Sequence, residues 1–343
     1  MFSGPKPVRI WLRSSSQVPV DDVMNAFDAA MPAVRETVYN LFLYVEAQKV
    51  KELGIVAHEL DGTEEEKLKI LQSRVDDDCK AADRYQVRGA FTWAEYCAMG
   101  RLGRDLETFE QMFQDYNAPS NPLCAVTPIV DGSPRVDAVT GMGATDLTEI
   151  QNTPQAPGFM VDYLRAYVRD GQLDLPRLIN DDYFQAIQLL LSAGRYVSSA
   201  KLLMSFFDTV AFVDLGDVAG GFCKWLDTYA VLAPLGITSK ELWEFRNGLL
   251  HMTNLNSRAV ASGSTAPLIL YLGPHPPTAP PGHTPNAKYF NLKALLDETS
   301  AACSRWMDTY NDKPDKLIQF VARYDLTISD ARLSYSQPAL ETG

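Results

Sequence analysis

The chain has 343 residues, 46% of them hydrophobic, which is enough to bury a sizeable core and to divide into two or three domains. Its formal net charge is −12, from 31 Lys and Arg against 43 Asp and Glu. That surplus of acid makes the chain a poor general nucleic-acid binder, because phosphate neutralisation by Lys and Arg supplies most non-specific affinity. The imbalance is uneven: residues 1–158 carry 15 Lys and Arg against 24 Asp and Glu (−9), and residues 159–343 carry 16 against 19 (−3). Any RNA-directed chemistry needs a local basic pocket, and the near-neutral second part is compatible with one.

Five cysteines, Cys79, Cys97, Cys124, Cys223 and Cys303, are odd in number and scattered. They form no Cys-x-x-Cys pair and no Cys/His cluster, so neither a zinc site nor a disulfide framework is expected. No apolar run in the sequence reaches the roughly 18 residues of a membrane span. Met1-Phe2-Ser3-Gly4-Pro5-Lys6 lacks the charged-then-apolar pattern of a secretory leader. A cytoplasmic protein without a membrane anchor is the expectation.

In chain order, Pro7–Leu12 alternates as a short strand. From Val20 to about Tyr116 the spacing reads as helical. Asp21 and Asp22 start a helix followed by Phe27 and Met31. Pro32 then opens a long helix with Val34, Val38, Leu41 and Val45 as its stripe. Thr63-Glu64-Glu65-Glu66 is a capping box for the next helix. Another helix runs from Thr92 through Trp93, Tyr96, Leu106 and Phe113. Residues 117–158 turn rich in Pro, Gly, Thr and Asp, and Ala125–Val130 with Val136–Val139 read as a hairpin or an irregular excursion. A domain boundary is placed at 158/159.

Beyond it, helices are expected at 159–169, at 181–192 behind Asn180 as cap, at 196–212 and at 219–230. A further one opens on the Thr238-Ser239-Lys240-Glu241 capping box. Pro267–Leu272 is a short strand, with Tyr289-Phe290 as its partner across an exposed Pro-rich loop, 273–287. Asn291 caps a final long helix with Leu292, Leu295, Leu296, Thr299, Cys303, Trp306 and Tyr310 on one face. The expected fold is mostly α: an acidic helical domain over 1–158 and a helical bundle with a small β-hairpin insertion over 159–343.

The most informative stretch is Arg246-Asn247-Gly248-Leu249-Leu250-His251 in the Thr238 helix. Leu242, Phe245, Leu249 and Met252 form one apolar stripe, while Trp243, Asn247 and His251 recur every four residues on another face. A guanidinium, an amide and an imidazole there are the parts of a phosphodiester site, since guanidinium matches phosphate oxygens and imidazole titrates near neutral pH. The plainer alternative is that Arg and His near a helix C-terminus only complement its dipole.

These residues resemble the R-x4–6-H motif of the HEPN superfamily, in which Asn commonly follows the Arg. Ser199–Asp208 looks like that family's second helix and Phe222–Leu226 like its third, so the resemblance covers about 178–312. It implies a metal-independent endoribonuclease working at a dimer interface, with RNA as substrate and no cofactor. His251 would be the general acid/base, Arg246 would stabilise charge on the phosphate, and Asn247 would bind the phosphate or orient His251. It also implies a setting in bacterial defence or a toxin system, with a regulatory protein or antitoxin as possible partner. Two readings from other classes stand beside it: a catalytically silent module that binds nucleotide or protein, and a structural subunit of a nucleoprotein complex.

Other motifs carry less. Asp76-Asp77-Asp78 points three ways on a helix and reads as a solvated face. His58-Glu59 lacks the second His of a zincin motif, His275 and His283 sit eight apart in the Pro-rich loop, and Gly141-Met142-Gly143-Ala144 follows no βαβ pattern. Gly216, Gly220 and Gly221 read as turn residues.

Overall fold

The computed structural model describes residues 35–87, 89, 91–135, 163–169, 171–251, 257–277, 286–311 and 313–327. The elements expected at Pro7–Leu12, Val20–Pro32 and Val136–Val139, and the residues Gly141–Ala144, Met252 and His283, lie outside them. The chain divides into two compact units, Met1–Pro154 and Gln155–Gly343.

The first unit corrects the expectation of a mostly helical chain. The stretch carrying Val38, Leu41 and Val45 is not a helix but strand β1, Glu36–Glu46, followed by β2, Lys49–Leu60. Helices α1 (Glu64–Ser73) and α2 (Val75–Ala81) come next, then β3 (Asp83–Gln86). After α3 (Trp93–Arg101) and α4 (Glu110–Asp115), β4 (Cys124–Val130) and the short β5 (Ser133–Pro134) complete a mixed sheet. Its order is β3-β2-β1-β4-β5, with β1 antiparallel to β2 and parallel to β4.

Because β1 is central, it is covered on both faces, and a strand buried on both faces reads as a continuous apolar run instead of an alternating one. Tyr39, Leu41, Leu43 and Val45 pack with Tyr96, Phe109 and Met112 from the α3–α4 side. On the opposite face Phe42 and Tyr44 meet Val75 and Ala82, and Val38 meets Leu71. The β1–β2 turn consists of Ala47 and Gln48, both at positive φ (47° and 64°). Gly54 on β2 lets the Tyr44 ring approach closely, since a Cβ there would lie 3.0 Å from that ring and 3.1 Å from Ala82 Cβ.

The second unit is helical apart from two short ladders. Val168–Arg169 (β6) pairs with Gln172–Leu173 (β7), and α5, Leu175–Ile179, starts behind Asp174, whose carboxylate accepts from Arg177 N–H at 3.1 Å. Asn180, expected as a cap, instead opens a π-helical turn over Asn180–Phe184 that leads into α6, Gln185–Ser192. The long α7, Tyr196–Leu215, packs against α6, α8 (Gly221–Tyr229), α9 (Ser239–His251) and α12 (Pro314–Thr327). Gly216, at φ 78°, terminates α7, and Arg323 donates to the Val213 and Asp214 carbonyls left open there. Short α10 (Arg258–Ala261) precedes β8 (Leu268–Tyr271), and β9 (Lys288–Asn291) leads into α11, Leu292–Asp308. Asn291 caps α11 as expected, accepting from Ala294 N–H at 3.1 Å.

The expected β-hairpin insertion is also corrected. β8 and β9 are parallel, Leu268 facing Lys288 and Leu270 facing Phe290, and parallel strands require a crossover rather than a tight turn. The core of this unit is aromatic: Trp225 and Trp306 are fully buried, and Trp225 meets Phe206, Phe207, Tyr229 and Trp306 with ring centroids 5.3–6.4 Å apart. None of the five cysteines forms a disulfide. Among the described residues one helix, α7, is long and apolar enough to cross a membrane, with mean hydropathy 1.2, and half of that window is buried within the fold.

Candidate functional site

The sequence positions α9 and its polar face almost unaided. Thr238 N–H donates to Glu241 Oε2 at 2.9 Å and Glu241 N–H to Thr238 Oγ1 at 3.2 Å, the reciprocal capping box read from the sequence. Burial pushes the Glu241 carboxyl up, but the hydrogen bonds from Lys288 and Thr238 outweigh it and leave the group below the usual carboxylate range. Leu242, Phe245, Gly248 and Leu249 form the buried face, and Phe245 meets Phe290 of β9 edge to face at 5.3 Å. Leu249→Ala, truncating this stripe, is expected to destabilise the unit by roughly 2–5 kcal/mol. Urea denaturation checks it, and a loss within 0.5 kcal/mol, as usual for surface changes, would remove Leu249 from the core.

On the other face the three expected residues come together. Arg246 Nη1 donates to Asn247 Oδ1 at 3.1 Å and to His251 Nε2 at 3.3 Å. An arginine has no acceptor, so His251 receives through Nε2 and carries its own proton on Nδ1. His251 is exposed at the last residue of α9, and Arg246 and Asn247 are half-buried. Asn247 therefore orients the guanidinium in this arrangement, not the imidazole. Trp243 is held on one side by Phe222, 5.3 Å away, and carries the Arg246 guanidinium 5.0 Å from its ring centroid.

Sequence reasoning missed a fourth member. Asp208 of α7 takes Arg246 Nε at 2.8 Å and Nη2 at 2.6 Å, both on Oδ2. It stands 38 positions upstream, so no local spacing ties it to the motif; only α7–α9 packing brings it there. No family model, curated protein or solved structure matches the chain.

The other candidates resolve differently. Asp76 and Asp77 are exposed as expected, but Asp78 is buried against the sheet and is corrected from a solvated residue to a buried one. Its Oδ2 accepts from Asn40 Nδ2 at 2.6 Å and from His58 Nε2 at 2.7 Å. Arg74 Nη1 donates to His58 Nδ1 at 3.1 Å, which fixes the ring proton on Nε2. Both nitrogens of His58 are thus engaged, and the ring has no lone pair left for proton transfer. Asn40 Nδ2 also reaches the Leu71 carbonyl at 2.9 Å, so the cluster ties α1 and α2 to the central strand. His275 is exposed in the Pro-rich loop. Among the described residues no group of three or more His, Cys, Asp or Glu is placed to hold a metal ion.

Proposed function

We propose that the Gln155–Gly343 unit carries a metal-independent endoribonuclease site of the HEPN type, working as a two-fold dimer in the cytoplasm. The bacterial defence or toxin setting belongs to the same proposal. The observation that carries it is the 3.3 Å contact between Arg246 and His251 at the exposed end of α9. It unites a proton-transfer group and a phosphate-matching cation where a chain can approach. RNA supplies its own nucleophile. Once its Nε2 is released from Arg246 Nη1, His251 takes the proton from a 2′-OH as that oxygen attacks phosphorus, and Arg246 offsets the charge building on the non-bridging oxygens. The bond to the 5′-oxygen then breaks with protonation of that oxygen, leaving a 2′,3′-cyclic phosphate.

An isologous contact through α9 brings two copies of the motif together, so that one imidazole accepts a proton and the other delivers one. Five cysteines held as thiols, none in a disulfide, suit a reducing compartment. The acidic first unit repels RNA and fits a regulatory or partner-binding role better than substrate capture.

Incubation of the full chain with mixed RNA substrates tests the reading. Cleavage persisting in EDTA and ending in 2′,3′-cyclic phosphate is expected. EDTA-sensitive cleavage, or none under any condition, sinks it. Sedimentation at micromolar concentration is expected to give a dimer, and a monodisperse monomer removes the dimeric part.

A further inference from the structure

The Arg246 cluster shows how its cation is already spent, and the following inference rests on reading that cluster as a phosphate site. A guanidinium has five N–H donors. Nε donates to Asp208 Oδ2 at 2.8 Å, Nη2 lies 2.6 Å from the same oxygen in an ion pair, and Nη1 donates to Asn247 Oδ1 and His251 Nε2. The Nε/Nη2 edge is a fork that grips two oxygens of a phosphate in parallel. A carboxylate of this same chain sits on it.

We propose that Asp208 is an internal anion occupying the phosphate subsite of Arg246, and that a phosphodiester binds by displacing it. Three features make the exchange possible. The Nε hydrogen bond and the Nη2 ion-pair contact converge on one carboxylate oxygen, so the pair falls short of the best fork geometry. The side chains of Arg246 and Asp208 are 19% and 31% exposed, which leaves a path for an incoming anion and weakens the pair through solvent screening. The guanidinium is also held independently of Asp208, by the Trp243 ring and by Asn247. It stays in place when the carboxylate swings away.

The device selects its ligand. A phosphate offers two oxygens to the fork where Asp208 offers one, so a phosphodiester displaces the carboxylate and a neutral ligand does not. A bystander role as a post that merely positions Arg246 makes the opposite prediction, because removing a post loosens the cation and weakens binding.

Calorimetric titration of the full chain with inorganic phosphate separates the two. Asp208→Asn is expected to bind phosphate at least about tenfold tighter than the unaltered protein, since a charged hydrogen-bond acceptor competes roughly twice as strongly as a neutral one. Asp208→Ala should shift in the same direction with an unchanged melting temperature, and adding Arg246→Ala to Asp208→Asn should abolish the binding. Equal or weaker binding by Asp208→Asn, no binding by any form, or binding that survives Arg246→Ala overturns the proposal. Tighter phosphate binding without RNA cleavage by any form would leave the displaced carboxylate standing and sink the ribonuclease reading. Cleavage with unaltered phosphate affinity would do the reverse.

Discussion

Arg246→Ala and His251→Ala are each expected to lower RNA cleavage by at least about 100-fold, in line with the loss of a general acid/base or of a preorganised charge stabiliser. Neither should unfold the protein. His251 is exposed at the end of α9, and such surface changes usually stay within about 0.5 kcal/mol. Arg246 loses a partly exposed ion pair with Asp208, worth about 0–1 kcal/mol. Activity and stability therefore separate at these two positions, whereas Leu249→Ala reverses the pattern by costing stability first. Paired cleavage assays and melting curves check this. If His251→Ala unfolds the unit, or leaves cleavage intact, His251 serves the helix end and not the chemistry.

The largest stability effect outside the aromatic core is expected at Asp78. Asp78→Ala withdraws the acceptor from Asn40 Nδ2 and His58 Nε2 at once. Each buried donor left unpaired costs about 1–3 kcal/mol, so losing the acceptor for two of them should destabilise the first unit by about 2–6 kcal/mol. Asp76→Ala and Asp77→Ala, on the exposed side of α2, should each stay within about 0.5 kcal/mol. Chemical denaturation of the three variants decides it. Three equal, small effects would return the whole Asp run to a solvated face.

These two clusters mark how far the chain could be read without its fold. Arg246, Asn247 and His251 lie within six positions of one helix, so the 3.6-residue period and the Thr238–Glu241 box are enough to place them together. Asn40, His58 and Asp78 are just as closely joined, but they arrive from β1, β2 and α2. Nothing within reach of one helical turn links them. The reading of β1 failed for a related reason. Val38, Leu41 and Val45 satisfy a helical stripe, but they satisfy a strand buried on both faces equally well, and periodicity does not separate the two. The β-branched and aromatic run Thr37, Val38, Tyr39, Phe42, Tyr44 and Val45 favoured a strand. The hairpin carried no punctuation, since Ala47 and Gln48 hold the left-handed turn where Asn and Gly are the usual signals.

By itself, then, the sequence determined the events whose causes are local: the two capping boxes at Thr63 and Thr238, the Asn291 cap, the amphipathic faces of α9 and α11, and the grouping of Arg246 with His251. Tertiary structure alone decided the mixed five-stranded sheet, the parallel pairing of β8 with β9, the burial of Asp78, and the seating of Asp208 on the guanidinium edge of Arg246. The physical reason is the range of the interactions. A cap or a helix face is settled by neighbours three or four residues away, whereas sheet order and a salt bridge between helices depend on which distant segments share a core.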